Sequence, residues 1–330
     1  MSRARGHRNG GGSRPTGRMV KAGLAVVAAA AIVAAVIIYN TSSNRTGPLP
    51  DQLPSSAGSY LGVFESGLPA KYSEVTSFAA ATGSKPDIVM YYSGWFVKFP
   101  QSFAAATADN GAVPLVQMDP DTVKVAQIAS GHYDGYLSSY AEAVRAYDHP
   151  VIISFGHEMN GNWSSWGYKH TSAKVFVAAW RHIVNVFREL GATNVTWLWT
   201  VNIVNDARSG DVTNPAPWWP GSSYVNWVGI DGYYLKSSWQ FRPLFGPTIG
   251  LVHKLTADPI LIAETGALQS VGQTAKINDL FNGIQLYGLL GFVYFNSTDD
   301  SADQNKNFVI SSQAALAAFR KGASTYHRPG

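Results

Sequence analysis

The sequence predicts an α/β protein of the (β/α)8 TIM-barrel class. From residue 60 onward, short apolar runs rich in β-branched and aromatic residues alternate with longer amphipathic stretches. Eight such runs fall within about 270 residues, a typical length for eight strand–helix units. An open doubly wound sheet is the rival fold. It is disfavoured because GVFESG at 62–67 lacks the glycine spacing of a phosphate-binding loop after the first strand.

The amino-terminal region differs in composition from the rest of the chain. Residues 1–21 carry six cations and no carboxylate, and the 18 uncharged residues AGLAVVAAAAIVAAVIIY follow at 22–39. A helix rises about 1.5 Å per residue, so this run spans most of the roughly 30 Å hydrocarbon core of a bilayer. We therefore predict a transmembrane signal anchor at 22–39, with a basic cytoplasmic tail at 1–21 by the positive-inside rule.

Residues 40–58 are rich in Ser, Thr, Pro and Gly, and we predict a flexible linker there, followed by one globular domain at 59–325. This arrangement predicts a single-pass protein of the cell membrane whose globular domain lies outside the cytoplasm. The alternative is secretion after cleavage of the amino-terminal segment. The length of the apolar run and the absence of a small-x-small cleavage site disfavour that alternative.

Charge and cysteine content exclude several classes of protein. Six of the 25 Lys and Arg residues lie within 1–40, which leaves 19 cations against 21 anions, a net charge of −2. No basic face for nucleic acid is therefore expected. The absence of cysteine excludes disulfides and thiolate metal sites. We expect no metal, no cofactor and a monomer, with the membrane contacted only through the amino-terminal helix.

The predicted elements follow in order along the chain. Strands are predicted at Tyr60–Phe64, Ile88–Tyr92, Val113–Gln117, Val151–Phe155, Val195–Thr200, Trp227–Ile230, Ile260–Ala263 and Gly291–Phe295. Helices are predicted at Ala70–Thr82, Gln101–Asn110, Val123–Ser130, Tyr136–Tyr147, Ala173–Leu190, Gly246–Leu255, Gln273–Gly288 and Ser312–Lys321. The stretch Val201–Tyr224 is long and rich in turn residues, which indicates a rim loop at the carboxyl ends of the strands.

Three of the six glutamates stand at carboxyl ends of predicted strands, namely Glu65, Glu158 and Glu264. Barrel enzymes build their catalytic groups from these strand ends. Each carboxylate also has a structural interpretation, at a helix start or as the partner of an arginine. Two carboxylates on one rim are nevertheless the arrangement of retaining glycosidases, which hold the pair about 5–5.5 Å apart.

The motif GHEMNGNW at 156–163, followed by Trp166-Gly167, resembles glycoside hydrolase family 26, a family of retaining glycosidases within a clan of (β/α)8 barrels. VGIDGYY at 228–234 and the strand-seven IAETG are similar to the same family, and the likeness covers roughly residues 60–320. The resemblance implies that Glu158 is the acid/base and Glu264 the nucleophile. It also implies that Tyr233 supports the nucleophile and that Trp163 stacks against a sugar ring.

Further substrate-binding candidates lie beside these motifs. His157 stands where much of the clan has Asn, and it could bind a 2-hydroxyl, orient a carboxylate or pack as a supporting imidazole. The other candidates are polar or aromatic residues of the predicted rim: Asn160, Trp166, Asp231, Phe295 and Glu65. A turn-forming role is an equal alternative for Asn160 and Asn202. Weaker stacking candidates are Trp199, Trp218, Trp219 and Trp239.

Two departures from the family pattern bear on the substrate. Mannanase-type members have a His near an early strand end, whereas the corresponding stretches here, Tyr91-Tyr92 and 117–119, contain none. Strand eight ends at Phe295-Asn296, where the clan usually has a Trp beneath the sugar. These differences leave the two-carboxylate chemistry intact, and they leave mannan specificity open.

Three other functions are alternatives to a glycosidase: a zinc hydrolase, a serine hydrolase and a carbohydrate-binding barrel. His157-Glu158 begins the zinc motif H-E-x-x-H, but Gly161 stands where the second His would be. No G-x-S-x-G is present for a serine hydrolase. A catalytically silent, membrane-tethered carbohydrate-binding barrel is the remaining alternative, because an aromatic rim suits binding equally well. The two strand-end glutamates favour a retaining endo-β-glycanase acting on a polysaccharide, with β-1,4-mannan first and β-1,3/1,4-glucan or xylan behind it.

Overall fold

The computed structural model describes residues 53–205, 210–299 and 306–325. Its centre is a closed barrel of eight parallel strands in sequence order, in which β8 pairs with β1. The strands are β1 (Tyr60–Phe64), β2 (Ile88–Gly94), β3 (Val113–Asp119), β4 (Val151–Phe155), β5 (Val195–Asn202), β6 (Trp227–Asp231), β7 (Ile260–Thr265) and β8 (Gly291–Phe295). The predicted (β/α)8 barrel is confirmed, and several strands extend one or two residues past their predicted ends.

The described residues contain eight α-helices: α1 (Ser73–Thr82), α2 (Gln101–Asp109), α3 (Val125–Ala129), α4 (Asp134–Tyr147), α5 (Ala173–Glu189), α6 (Phe241–Val252), α7 (Gln273–Tyr287) and α8 (Gln313–Ala323). Where the structure describes the connection between β5 and β6, it has only two 3-10 turns, at Ala216–Trp218 and Ser222–Tyr224. This matches the predicted rim loop. A short antiparallel pair, β9 (Thr298–Asp299) and β10 (Lys306–Asn307), follows β8.

Helix α6 begins at Phe241, well before its predicted start at Gly246. Pro243 lies in the first turn, where the helix needs no N–H donor. Pro247 lies inside the helix and leaves the carbonyl of Pro243 without its usual donor. Nδ2 of Asn205 donates to that oxygen at 2.6 Å. A side chain from the β5–β6 loop therefore compensates for the internal proline, a long-range contact that helical periodicity does not reveal.

Two apolar layers hold the barrel together. The inner layer consists of alternate strand residues, among them Tyr60, Phe64, Ile88, Met90, Leu115, Ile152, Leu198, Trp227, Leu261 and Val293. The outer layer lies between strands and helices, and α5 contributes Phe176, Trp180, Ile183, Val184 and Phe187 to it. Because both faces of each strand are buried, the strands appear in the sequence as continuous apolar runs.

The amino-terminal end of the barrel is closed by residues that we predicted to belong to the linker. Leu53 packs on the inner layer, the Tyr60 hydroxyl donates to the carbonyl of Pro54 at 2.7 Å, and the Gly58 N–H donates to Leu289 at 2.8 Å. Residues 53–58 thus belong to the folded domain. The predicted tail, anchor and remaining linker lie outside the described residues. Within the described part of the chain, no helix is both long and apolar enough to cross a bilayer.

Candidate active site

Strand register brings the polar residues of the rim together. Asn202, the last residue of β5, pairs with Asp231 at the end of β6, and Asp231 pairs with Glu264 near the end of β7. Glu158 lies three residues beyond β4, and its Oε1 accepts a hydrogen bond from Nδ2 of Asn202. Neighbouring strands therefore connect Glu158 to Glu264, which places the two glutamates at the same end of the barrel despite their distance in sequence.

The backbone after β4 makes an unusual turn that directs Glu158. Gly156 has φ 56° and Glu158 has φ 55°, a left-handed conformation that is uncommon for glutamate and costs about 1–3 kcal/mol. The backbone N–H of Glu158 donates to the carbonyl of Thr200 at 3.0 Å, and the N–H of Gly161 donates to the backbone carbonyl of Glu158 at 2.8 Å. These bonds hold the strained residue, so the fold fixes the direction of this carboxylate at an energetic cost.

Glu264 is buried, and each of its carboxylate oxygens accepts a phenolic hydrogen bond. Tyr233 donates to Oε1 and Tyr92 donates to Oε2. Burial raises the pKa of Glu264 and the charge of Glu158 adds to this, whereas His157 and the two phenols lower it, and the net direction is upward. Burial and the charge of Glu264 hold the pKa of both phenols well above 10, so both remain protonated donors.

His157 forms an ion pair at the base of the site. Its Nδ1 lies 2.9 Å from Oδ1 of Asp119, the last residue of β3, and its ring lies 5.5 Å from that of Tyr92. Burial alone would lower the pKa of His157, but the adjacent Asp119 carboxylate, together with Glu158 and Asp231, raises it to about 10. The imidazole is therefore a cation at neutral pH. The ion pair is compatible with the orienting alternative, and a contact of His157 with a sugar hydroxyl stays a prediction.

Asp231 differs from its predicted position as a substrate contact. Its side chain is fully buried beside its strand partner Glu264, and neither carboxylate oxygen has a hydrogen-bond partner among the described residues. Burial, followed by the charges of Glu264 and Glu158, raises the pKa of Asp231 well above its usual range. This upward shift of the pKa favours the protonated form of the buried Asp231 carboxyl.

Two further candidates from the GHEMNGNW region also lie beneath the rim rather than on it. Asn160 is fully buried, its amide donates to the carbonyls of Asn202 and Thr213 at 2.8 and 3.2 Å, and its oxygen accepts from Asn202 N–H. Trp166 is buried, and its indole N–H donates to the carbonyl of His157 at 2.8 Å. Both side chains hold the motif in shape because all these bonds are made to backbone, and a contact of either side chain with substrate stays a prediction.

Trp163 and Phe295 offer aromatic surface to the rim. Trp163 is 37% exposed, and a Cβ atom at Gly161 would lie 2.2 Å from its indole, so the ring rests on glycine backbone. Phe295 is half-buried, stacked on Phe64 at 4.7 Å and edge-on to Tyr233 at 5.8 Å. Phe295 thus adjoins a tyrosine that binds Glu264. It occupies the position at which the clan resemblance led us to expect a tryptophan.

Glu65 lies at the end of β1, on the same rim. Nδ2 of Asn296, which follows β8, donates to its Oε1 at 2.8 Å. Burial raises the pKa of Glu65 to about 7, although the hydrogen bond from Asn296 opposes this shift. Of the weaker candidates, Trp199 and Trp218 are buried in the core. Within the described residues, no cluster of His, Asp and Glu is arranged to hold a metal ion.

Comparison with known proteins identifies the family of this barrel. A profile described as Glycosyl hydrolase family 26 matches residues 87–316, more than half of the chain. The chain belongs to glycosyl hydrolase family 26. The resemblance inferred from GHEMNGNW, VGIDGYY and IAETG is therefore confirmed.

Relatives of this family 26 domain carry several activities in their names. Endoglucanase H of Acetivibrio thermocellus is 31% identical over 265 residues, covering 76% of this chain and 29% of its own length. Beta-1,3-xylanase TXYA of a Vibrio species is 27% identical over 169 residues, covering 47% of this chain and 35% of its own length. A mannan endo-1,4-beta-mannosidase of Bifidobacterium adolescentis is 29% identical over 126 residues, 34% of this chain and 12% of that protein. The chain thus spans only about a third or less of the length of these relatives.

Solved structures share the fold of the family 26 domain. The catalytic domain of an endo-beta-1,4-mannanase from Bacillus sp. JAMB-750 superposes with a TM-score of 0.63 at 16% identity, covering 81% of this chain and 85% of that one. A family 26 beta-mannanase from Bacteroides ovatus superposes with a TM-score of 0.60 at 15% identity, covering 86% and 90%. At this identity the similarity establishes the barrel alone.

Tyr92 is the main feature of the family 26 site that the sequence analysis missed. It occupies the early-strand stretch in which we noted the absence of a histidine, and its phenol reaches Glu264 from β2. Asp119 was also not predicted as a partner of His157. The available signal was their location, since both are polar residues at the carboxyl ends of predicted strands.

Proposed function

We propose that this domain is a retaining endo-β-glycanase in which Glu264 is the nucleophile and Glu158 the acid/base. Glu264 would attack the anomeric carbon while Glu158 protonates the departing glycosidic oxygen. In the second step Glu158 would deprotonate the water that releases the sugar from Glu264. The observation that carries the proposal is the presence of two strand-end carboxylates at one end of the barrel with different hydrogen-bond partners.

The environments of the two glutamates support opposite roles. Glu264 accepts one phenolic hydrogen bond on each oxygen, from Tyr92 and Tyr233, and it feels the positive charge of His157. These three groups favour the ionised, correctly rotated form that a nucleophile needs. Glu158 accepts from a neutral amide, that of Asn202, and it lies beside the partly exposed Trp163 loop. This glutamate would carry the transferable proton.

For the substrate we propose a β-glucan first and β-1,4-mannan second, with a xylan behind them. The relative named endoglucanase aligns with 76% of this chain, whereas the relatives named mannan endo-1,4-beta-mannosidase align with 34% or less. Tyr92 also stands where mannanase-type members led us to expect a histidine, and Phe295 stands where the clan resemblance led us to expect a tryptophan. We further propose that the uncharged run at 22–39 anchors this domain outside the cytoplasm.

The decisive experiment measures reducing-end release from soluble β-glucan, mannan and xylan by the wild-type protein and by Glu158→Gln and Glu264→Gln. We expect Glu158→Gln to lower turnover about 10²–10⁴-fold on polysaccharide and much less on an aryl glycoside, whose leaving group needs no proton. Glu264→Gln should lose both activities. Glu142→Gln, an exposed position on α4, is the matched control and should behave as wild type.

Product stereochemistry provides the second test of the mechanism. A double displacement releases the β anomer first, which NMR of fresh product detects before mutarotation. Release of the α anomer would refute the nucleophilic role of Glu264. A folded wild-type protein that binds polysaccharide and hydrolyses none of the panel would instead support the alternative, a catalytically silent carbohydrate-binding barrel.

A further inference from the structure

We propose that Phe96 is the platform of an additional sugar-binding subsite, which holds one ring of the polysaccharide away from the cleavage point. The inference rests on the proposed function and extends it. Four large apolar side chains are exposed among the described residues: Phe96 at 53%, Val97 at 50%, Trp163 at 37% and Leu286 at 78%. The first three follow strands β2 and β4, so they lie on the rim that carries the candidate active site.

The backbone at Phe96 indicates that this exposure is built into the loop. Phe96 has φ 70°, a left-handed conformation that a bulky side chain rarely adopts and that glycine adopts freely. Two hydrogen bonds nevertheless fix the loop. The backbone N–H of Trp95 donates to the carboxylate of Asp121 at 3.1 Å, and the Tyr136 hydroxyl donates to the carbonyl of Val97 at 3.0 Å. A strained residue with an exposed ring is typical of a ligand contact rather than of a stabilising element.

Neighbouring aromatic rings support Phe96 from the protein side. Its ring lies edge-on to Tyr133 and Tyr136, with centroid distances of 5.5 and 5.4 Å. Trp95 is buried beneath them and lies 5.1 Å from Tyr136. The tyrosines therefore restrict the ring while more than half of its surface stays in solvent. A rigid aromatic face of this kind offers the C–H faces of a sugar a large contact area at little entropic cost.

The platform lies close to the candidate active site. Phe96 is four residues after Tyr92, which binds Glu264, and four extended residues span at most about 14 Å. Trp95 also contacts Phe155, the last residue of β4, with a centroid distance of 6.1 Å. A polysaccharide bound at Glu264 would therefore need only a few sugar units to reach Phe96.

The size and aromatic composition of this surface favour a sugar over a protein partner. Two adjacent apolar side chains cannot supply the roughly 800 Å² per partner that a stable protein interface buries. The supporting groups are tyrosine and tryptophan rings, which suit an uncharged, hydroxyl-rich ligand that presents an apolar face. The occupant that we infer is one sugar ring of the same chain that Glu264 and Glu158 would cleave.

The test combines binding and kinetics on the full 330-residue chain. Affinity electrophoresis in gels that contain β-glucan, mannan or xylan measures binding without turnover. We expect Phe96→Ala and Phe96→Gly to weaken binding about three- to tenfold, and we expect Phe96→Trp to bind as well as the wild-type protein. In kinetics the loss should appear in KM rather than kcat, and it should shrink as the oligosaccharide is shortened. Leu286→Ala, at the opposite end of the barrel on α7, is the matched control.

The Phe96→Gly variant separates binding from folding. Because glycine relieves the left-handed backbone strain, this variant should unfold at a higher temperature than Phe96→Ala although it binds polysaccharide equally poorly. Unchanged binding by Phe96→Ala, or an equal loss on long and short substrates, overturns the inference. So does a wild-type protein that none of the polysaccharides retards. A wild-type protein that binds but never hydrolyses refutes the proposed enzyme and leaves the Phe96 test intact.

Discussion

Replacing Asp119 by Asn tests the charge arrangement at the base of the site. Asp119 holds Nδ1 of His157 at 2.9 Å, and the pair is about 15% exposed. The pKa of His157 rises on folding from about 6.5 to about 10, chiefly because Asp119 outweighs the effect of burial. Asn keeps the shape and a hydrogen-bonding oxygen but removes the charge. Burial should then dominate and leave His157 neutral in the folded protein.

The size of the effect follows from linkage. A histidine whose pKa is raised on folding stabilises the protein fully below the unfolded pKa of about 6.5 and loses that contribution as the pH rises through about 10. One pKa unit corresponds to about 1.4 kcal/mol, so His157 contributes about 4 kcal/mol at pH 7 and between about 1 and 2 kcal/mol at pH 9. Asp119→Asn should therefore destabilise the protein by about 3–4 kcal/mol at pH 7, and the deficit should narrow at pH 9.

Urea unfolding at pH 7 and pH 9 measures the stability deficit, and kcat/KM against pH measures its consequence for Glu264. Cationic His157 lowers the pKa of Glu264, so its neutralisation should move the acid limb of the activity profile to higher pH. Asp134→Asn is the matched control, because Asp134 lies 2.6 Å from Nε2 of His182 on the outer helices, at a more exposed site. Asp134→Asn should lower the stability by about 1 kcal/mol or less and leave the dependence of kcat/KM on pH unchanged.

The proposed role of the His157 charge is refuted if Asp119→Asn is as stable as the wild-type protein, or if its stability deficit is equal at the two pH values. An equal deficit would mean that the substitution disturbs packing and that no change in the protonation of His157 is involved. A large deficit in Asp134→Asn would likewise show that any His–Asp contact has this effect. The loss of stability in Asp119→Asn could then not be assigned to the charge arrangement of the candidate active site.

Two further predictions concern residues that contact the rim. Tyr92→Phe removes one donor from Glu264, and we expect a loss of about 1.5–3 kcal/mol in kcat/KM, or roughly 10- to 150-fold, with the acid limb at higher pH. Tyr147→Phe, whose hydroxyl binds a distant carbonyl, is its control and should retain activity. Because the pKa of Glu65 is raised to about 7, the wild type should lose stability as the pH rises from 4.5 to 7. Glu65→Gln, which can keep the Asn296 bond, should be about 1–3 kcal/mol more stable at pH 8 and equal at pH 4.5 in thermal or urea unfolding.

The barrel was predictable because each strand is buried on both faces. Val151–Phe155 and Ile260–Ala263 carry no charge, and each is bounded by turn or helix signals, so their type and order follow from composition alone. Their carboxyl ends then define the rim, and the first glutamate after each strand becomes a candidate for chemistry. This local reasoning was sufficient for the placement of Glu158 and Glu264 at one end of the barrel.

The contacts between strands were not predictable in the same way. Tyr92 reaches Glu264 across the barrel, and Asp119 reaches His157 from the neighbouring strand, so both contacts depend on register and side-chain direction. The backbone contacts of Asn160 and Trp166 were likewise not predictable from the motif. Both belong to a polar sequence near the catalytic candidate, yet the turn after β4 needs their hydrogen bonds to its own backbone.

The distribution of charge among the buried acids bears on the roles that we propose for Glu264 and Glu158. Four carboxyl groups lie near one imidazole, and four negative charges in a buried site would be strongly unfavourable. Burial and the neighbouring carboxylates raise the pKa of Asp231, which favours its uncharged form, and Asp119 forms an ion pair with His157. Glu158 and Glu264 then remain as the two groups that must share the outstanding charge. In the proposed mechanism two phenols stabilise the anion at Glu264, and a single proton on Glu158 leaves the cleft with one net negative charge, the state that the first step of a double displacement requires.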